Sequence, residues 1–482
     1  MMKILPTNNI IKFIFFSLLL ITCFLFVISI KIYIVLFLIY FLITFFIFNF
    51  NLYQSIFLTL LISLPFERGI RGWFIEIVPI GIQWWESGYS FYFGITVKLI
   101  LIILLVLLII IQKNNSIYKN IKYKKNEIIL IGFFLMSFFS LIINNNFSVA
   151  IFGFVRIFEF TSLYFIAQLL FSNIKIRKIF LYLLLIFSFT LGLVGSWQFI
   201  NNQPIGLFLE DSTSFRPYGY VTTDGSPLYR VSGLYGHPTF FGSTLSLLLP
   251  ISIGYLIKLY REKKLNTYFS TFVVSSFILC SLAIFATFSR SSWIACVVII
   301  FLFSWLHKLL IFNKNRINYK LISAIFIIIS LLLIFLGPLF FTRINSFNDI
   351  LNIGNGWSRL NLIKISFEAI FSSPIFGIGI NNFTFFMSNL DLIPEIRNFL
   401  YPVHNTFLLF FSEIGIPAGM LFVLFVFYIF KKTWNMAKKN LIDLSIWIGA
   451  LTFIINSQFQ TLFSLDPSID IFMVMLAYLS VL

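Results

Sequence analysis

The chain has 482 residues, of which 60% are hydrophobic, 20% aromatic and only 11% charged, and its mean hydropathy is +0.99. An ordinary soluble domain carries about 25% charged residues, so the soluble α/β and all-β classes are excluded and the chain reads as an all-α polytopic membrane protein. The formal net charge of +17, from 34 basic and 17 acidic residues, can reflect nucleic acid, anionic lipid or membrane topology.

A spanning helix needs about 20 apolar residues. In chain order the stretches that approach this are 10–30, 32–49, 51–65, 91–111, 128–144, 149–171, 179–200, 239–257, 268–288, 292–311, 321–341, 404–430, 443–462 and 468–482. The third and last are short, so about 12 to 14 transmembrane helices are expected. Lys3 and Lys12 stand before the long apolar run of the first stretch, with no small-residue cleavage site after it, which reads as an uncleaved first span. No linker or repeat divides the chain, and residues 1–482 read as a single transmembrane domain.

Alternate connections are rich in lysine: 112–127, 172–178, 258–266, 307–320 and 431–443. With Lys3 and Lys12 they hold 22 of the 34 basic residues and only three acids, Glu127, Glu262 and Asp443. The positive-inside rule then places these loops and both termini in the cytoplasm. The excess charge is a topology signal, and nucleic acid drops out as a partner. The long connections, 66–90, 201–238 and 342–403, fall on the extracytoplasmic side, and the last of them carries short helices.

Outside the lysine-rich loops, nine of the twelve remaining basic residues are arginine. A guanidinium grips phosphate or carboxylate through two parallel hydrogen bonds, which an ammonium cannot do. Arg290 (ATFSRSSW) sits at the outer junction of two spans with no acid nearby in sequence. Arg156 (GFVRIFEF) lies inside a span, where a charge faces either a cavity or a partner; Glu159, three residues on, is the local candidate. Arg359 opens an amphipathic stretch, GWSRLNLIKISFEAIF. Of the three histidines, His307 abuts a lysine-rich loop and His237 (GLYGHPTFFG) reads as a residue at the start of a helix. His404, beside Asn405 in YPVHNTFLLFFSEIGIP, meets the outer arginines and is the candidate general base. There is no phosphate-binding loop and no metal-ligand spacing, so neither cofactor nor metal is expected. Cys23, Cys280 and Cys296 all lie in apolar runs and suggest no disulfide framework.

Four segments in order, RVSGLYGHPTFFGSTLSLLLPI (230–251), ATFSRSSWIACVV (286–298), WSRLNLIKISFEAIFSSPIFGIGINNF (357–383) and HNTFLLFFSEIGIPAGMLFVL (404–424), resemble the O-antigen ligase and O-antigen polymerase superfamily. The resemblance covers about 140–430. It implies a membrane glycosyltransferase of polysaccharide or lipopolysaccharide biosynthesis, which transfers or polymerises glycan carried on undecaprenyl (polyprenyl) pyrophosphate at the extracytoplasmic face. The acceptor would be a glycan, a lipid core or a protein, and the bilayer is the other partner. On this resemblance His404 is the catalytic base, while Arg290, Arg230, Arg156, Arg359 and Asn405 bind substrate. Gly-His-Pro-Thr at 236–239 departs from the commoner Asn-Pro-Asn form and leaves His237 open. The alternatives are a polytopic transporter or lipid-glycan flippase, and a glycosyltransferase using Glu67 as base.

Overall fold

The computed structural model describes residues 17, 30–65, 97–111, 124–143, 147–206, 220–221, 227–235, 237–264, 267–309, 356–390, 400–461 and 468–482. The expected span at 10–30 apart from residues 17 and 30, the expected span at 321–341, the loop 66–90 with Glu67, and the arginines at 216, 343 and 397 lie outside them.

The regular structure among the described residues is helical apart from one two-residue strand pair, Tyr220–Val221 with Pro227–Leu228, so the chain is an all-α polytopic membrane protein. In order the helices are α1 (Ile30–Leu42), continued by a π-helical turn Ile43–Ile47, then α2 (Leu52–Ser63), α3 (Val97–Ile111), α4 (Lys125–Ile143), α5 (Phe147–Leu170) and α6 (Ile174–Asn201). They continue as α7 (Pro238–Arg261), α8 (Tyr268–Ala286), α9 (Arg290–Leu309), α10 (Gly356–Ser372), α11 (Phe383–Ser388), α12 (Thr406–Ala437), α13 (Leu441–Ser457) and α14 (Ser468–Ser480). Six of these, α4 to α8 and α12, are long and apolar enough to cross a bilayer, and six shorter apolar segments accompany them.

α7 is the axis of the bundle, buried along its whole apolar window. Small residues let its neighbours come close, as membrane helices require in the absence of a hydrophobic drive between them. A Cβ on Gly254 would run into the Ser445 side chain of α13, and one on Gly449 would meet the Leu247 carbonyl. Pro250 has no N–H, so the Ser246 carbonyl one turn earlier loses its helical donor. The Thr452 hydroxyl of α13 donates to that carbonyl at 3.1 Å, and the Asn456 amide donates to the Ser246 hydroxyl at 2.8 Å. On the other flank, Ser188, Ser252 and Ser276 link α6, α7 and α8 through hydroxyl contacts of 2.9 Å.

The stretch 404–430, expected as one straight span, is not one. α12 breaks at Gly415, whose backbone (φ 86, ψ 166) is non-helical. In an unbroken helix Phe410 and Phe422 would stand about 18 Å apart; their ring centroids are 5.0 Å apart. Phe407 also reaches Phe422, at 6.3 Å, and a Cβ on Gly419 would strike the Phe411 ring. Residues 406–414 therefore double back against 416–437. The second arm, at about 33 Å, matches the hydrocarbon thickness by itself; the first returns over about 13 Å. Sequence chemistry explains the break: Gly415 ends the first arm in a positive-φ conformation open to glycine, and Pro417 sits at the start of the second, where its missing N–H costs nothing.

The segment between α10 and α11 clasps this apex. Ile378 N–H donates to the Ser412 carbonyl at 2.9 Å, Gly379 N–H to the Glu413 carbonyl at 3.0 Å, and Ile416 N–H to the Pro374 carbonyl at 2.8 Å. Backbone groups left orphaned by the break are thus satisfied, as an apolar surrounding demands. The Glu413 carboxylate, itself buried, accepts from Phe383 N–H at 3.1 Å and fixes the start of α11. Gly377 (φ 72) and Gly379 (φ 101) give the clasp its turn.

Candidate active site

The described parts of the lysine-rich connections lie at one end of the bundle: Lys125 begins α4, Lys175 and Lys178 begin α6, Lys258 and Arg261 end α7, and Lys431 to Lys439 close α12. At the opposite end α7, α9 and α12 all begin, and there the sequence-predicted residues fall.

His404 immediately precedes the returning arm. Asn405 is its N-cap: the side-chain carbonyl accepts from Phe407 and Leu408 N–H, both at 3.0 Å. The Asn405 amide donates to Gln458, just past α13, at 3.2 Å, and the Thr406 hydroxyl donates to the Gln460 carbonyl at 2.8 Å. The arm is therefore tied at its start to α13 and at its end to the clasp. His404 stacks on Tyr401 with centroids 5.0 Å apart. Its Nδ1 is buried and makes no hydrogen bond among the described residues. Burial, with the Arg359 guanidinium adding to it, pushes the imidazole down to about 4, so it is neutral near pH 7 and keeps a nitrogen lone pair that can accept a proton.

Arg230 and Arg290 flank one turn. Val231 N–H donates to the Ala286 carbonyl at 3.2 Å, and Arg230 Nε donates to the Thr287 carbonyl at 3.2 Å. Arg290, three residues on, is the first residue of α9. Between them a hydroxyl relay holds the turn: Ser289 N–H to Thr287 at 3.2 Å, and Ser289 with Ser291 and Ser292 at 3.1 Å each. Phe288 takes a positive φ of 52 here. Arg359 is exposed in the first turn of α10, which packs on α12 and brings that guanidinium into the field of His404.

His237 belongs to the same group. It is the N-cap of α7, with Thr239 N–H donating to its Nδ1 at 3.2 Å. Burial first, then Arg230 and His404, push its imidazole down to about 3. Sequence reasoning finds the helix-capping role and the shared segment with Arg230; its nearness to His404 has no sequence signal.

Arg156 is not brought into this group. Its Nη1 lies 2.8 Å from Glu159 and 2.9 Å from Asp470 of α14. Lys98 of α3 contacts the same two carboxylates at 3.0 Å each. All four side chains are buried. Glu159 is the expected local partner; Lys98 and Asp470 complete the quartet from distant parts of the chain. Asn405 likewise uses its side chain on the helix cap and on Gln458, which makes it a residue that positions His404.

Residues 275–423 match the O-antigen ligase family. The matched stretch runs from α8 through the start of the second arm of α12, and includes Arg290, Arg359, Asn405 and His404. It supports the O-antigen ligase and polymerase superfamily, and with it a glycosyl-transferring membrane protein that works on a lipid-linked glycan. No curated protein matches the chain.

Proposed function

We propose that the chain transfers or polymerises polyprenyl-pyrophosphate-linked oligosaccharide at the extracytoplasmic face, with His404 as general base and Arg230 and Arg290 on the donor pyrophosphate. The observation that carries this reading is the convergence, opposite the lysine-rich end, of a neutral, half-buried histidine with arginines from two separate elements. Arg359 completes the positive field from α10.

The acceptor hydroxyl gives its proton to the His404 imidazole as its oxygen bonds to the anomeric carbon. The bond from that carbon to the phosphate oxygen breaks, and its electron pair leaves with the pyrophosphate. Guanidinium groups held in place before reaction stabilise the charge that builds on the leaving group, and a single base then suffices. The start of α9 adds its helix dipole beside Arg290. Arg156 is assigned to the buried ion quartet, and Asn405 to holding His404.

The test uses purified protein and lipid-linked glycan. His404→Ala and Arg290→Ala each lower transfer by about 10²- to 10³-fold, with insertion and yield unchanged. Wild-type transfer by either variant refutes the assignment. Glycan chain length in a deletion strain then separates the two chemistries. A core capped with one repeat unit indicates a polymerase, and a bare core with accumulated lipid-linked polymer indicates a ligase.

A further inference from the structure

His237 has no part in the reaction as drawn, yet its ring is fixed in every respect that matters for binding. Nδ1 accepts from Thr239 N–H at 3.2 Å and also contacts the Thr239 hydroxyl at 2.5 Å. A nitrogen that accepts a backbone N–H carries no proton, so the neutral ring keeps its hydrogen on Nε2. Pro238 follows directly, which confines His237 to the extended backbone it adopts (φ −131, ψ 125). The ring lies 5.0 Å from that of Phe240.

The segment that carries it is equally fixed. Gly233 and the buried Gln198 of α6 exchange two hydrogen bonds, of 2.8 and 2.9 Å. Arg230 and Val231 are tied to the end of α8. A neutral donor of set tautomer thus stands near a guanidinium, in a site that already carries positive charge. A second cation there would repel Arg230, whereas a neutral N–H adds a hydrogen bond to an anion without that cost. A neutral imidazole N–H is too weak an acid to protonate a leaving group, so its role is to bind.

We propose that His237 is a ligand of the donor diphosphate, its Nε2–H donating to a phosphate oxygen alongside Arg230. This rests on the reading of the site as a pyrophosphate site. It makes His237 both the N-cap of α7 and a substrate contact, one nitrogen for each task.

The experiment separates the two tasks by choice of cap. Asp, Asn and Ser are all good N-caps. Asn keeps an acceptor and a donor; Asp keeps the acceptor, loses the donor and adds negative charge; Ser caps but does not reach. Binding of inorganic pyrophosphate to the full-length purified protein is measured by calorimetry, with the thermal midpoint as the folding control. His237→Asn binds within about threefold of wild type, while His237→Asp binds about 10- to 100-fold more weakly at an unchanged midpoint, the range for losing a hydrogen bond to a charged group. Where the Asp variant is unstable, a loss of about tenfold in His237→Ser decides the matter. Asp or Ser variants that bind like wild type, or an Asn variant as weak as Asp, overturn the proposal. If Arg230→Ala loses pyrophosphate while His237→Asp keeps it, the function stands and this contact falls. If wild type itself binds no pyrophosphate, both fall.

Discussion

The fold-back at Gly415 is what sets His404 against the end of α13, so its perturbation tests the architecture and the site together. Gly415→Ala puts a Cβ on a backbone with φ 86 and ψ 166, a region that costs an L-residue of order 1–3 kcal/mol. That Cβ would also collide with the Ile375 carbonyl and sit 2.9 Å from Phe376 N. These are backbone atoms and have no rotamer through which to escape, so the clasp must move. Moving it endangers the three hydrogen bonds from Ile378, Gly379 and Ile416, at about 1 kcal/mol each. The upper bound is therefore about 6 kcal/mol, a large share of the stability of any domain. Gly206 supplies the control: its φ is 82, and a Cβ there meets nothing within 4 Å. Gly206→Ala thus carries the conformational cost without the collision. Thermal unfolding of the purified variants, with amide hydrogen exchange at Ile378 and Gly379, reads both terms. Gly415→Ala shows the larger loss of stability, faster exchange at both amides, and reduced glycan transfer. Equal behaviour of the two alanine variants would refute the idea that the clasp holds the hairpin.

Two more outcomes follow from the buried charges and the low-lying histidine. Asp470→Asn leaves Lys98 and Arg156 with one carboxylate between them and costs about 3–5 kcal/mol, read by thermal unfolding, whereas replacing all four ionic residues with apolar side chains recovers most of that loss; a neutral single variant would refute the quartet as a structural unit. Since burial and Arg359 push His404 down to about 4, transfer stays level from pH 7 to about 5 and falls as pH drops through about 4, and Arg359→Ala moves that limb upward; a limb at about 6.5 would refute the half-buried, neutral base. The same group contributes to stability with the matching sign. The unfolded chain takes up its proton near about 6.5 and the folded one near 4, so His404 adds its full contribution above about 6.5 and loses it as pH falls from there to about 4.

Much of the site is legible along the chain because its parts are local. Asn405 before an apolar run marks a helix start, and the structure makes it the N-cap of α12. His237 before Pro238 marks another. Gly415 followed by Pro417 carries the stop-and-start signature of two helices, although the apolar run around it reads as one span. Hydropathy measures how apolar a stretch is and is indifferent to whether the stretch turns back on itself.

Composition by itself determines that this is a polytopic helical membrane protein, because so few charges leave no soluble surface. The distribution of lysine along the chain sets the two ends of the bundle apart, and the arginines and His404 are visible as residues that do not fit the apolar pattern. Only the tertiary structure decides which of those charges are already neutralised. Arg156 meets Asp470 across 314 positions of sequence and Lys98 meets it across 372, so the local pattern offers Arg156 only Glu159 and shows nothing of the other two members of the quartet. The same holds for His237 and Arg230, for His404 and for Arg359, which three separate elements deliver to one end of the bundle. Partnering of charge in an apolar medium depends on distances through space, and those exist only once the helices have packed.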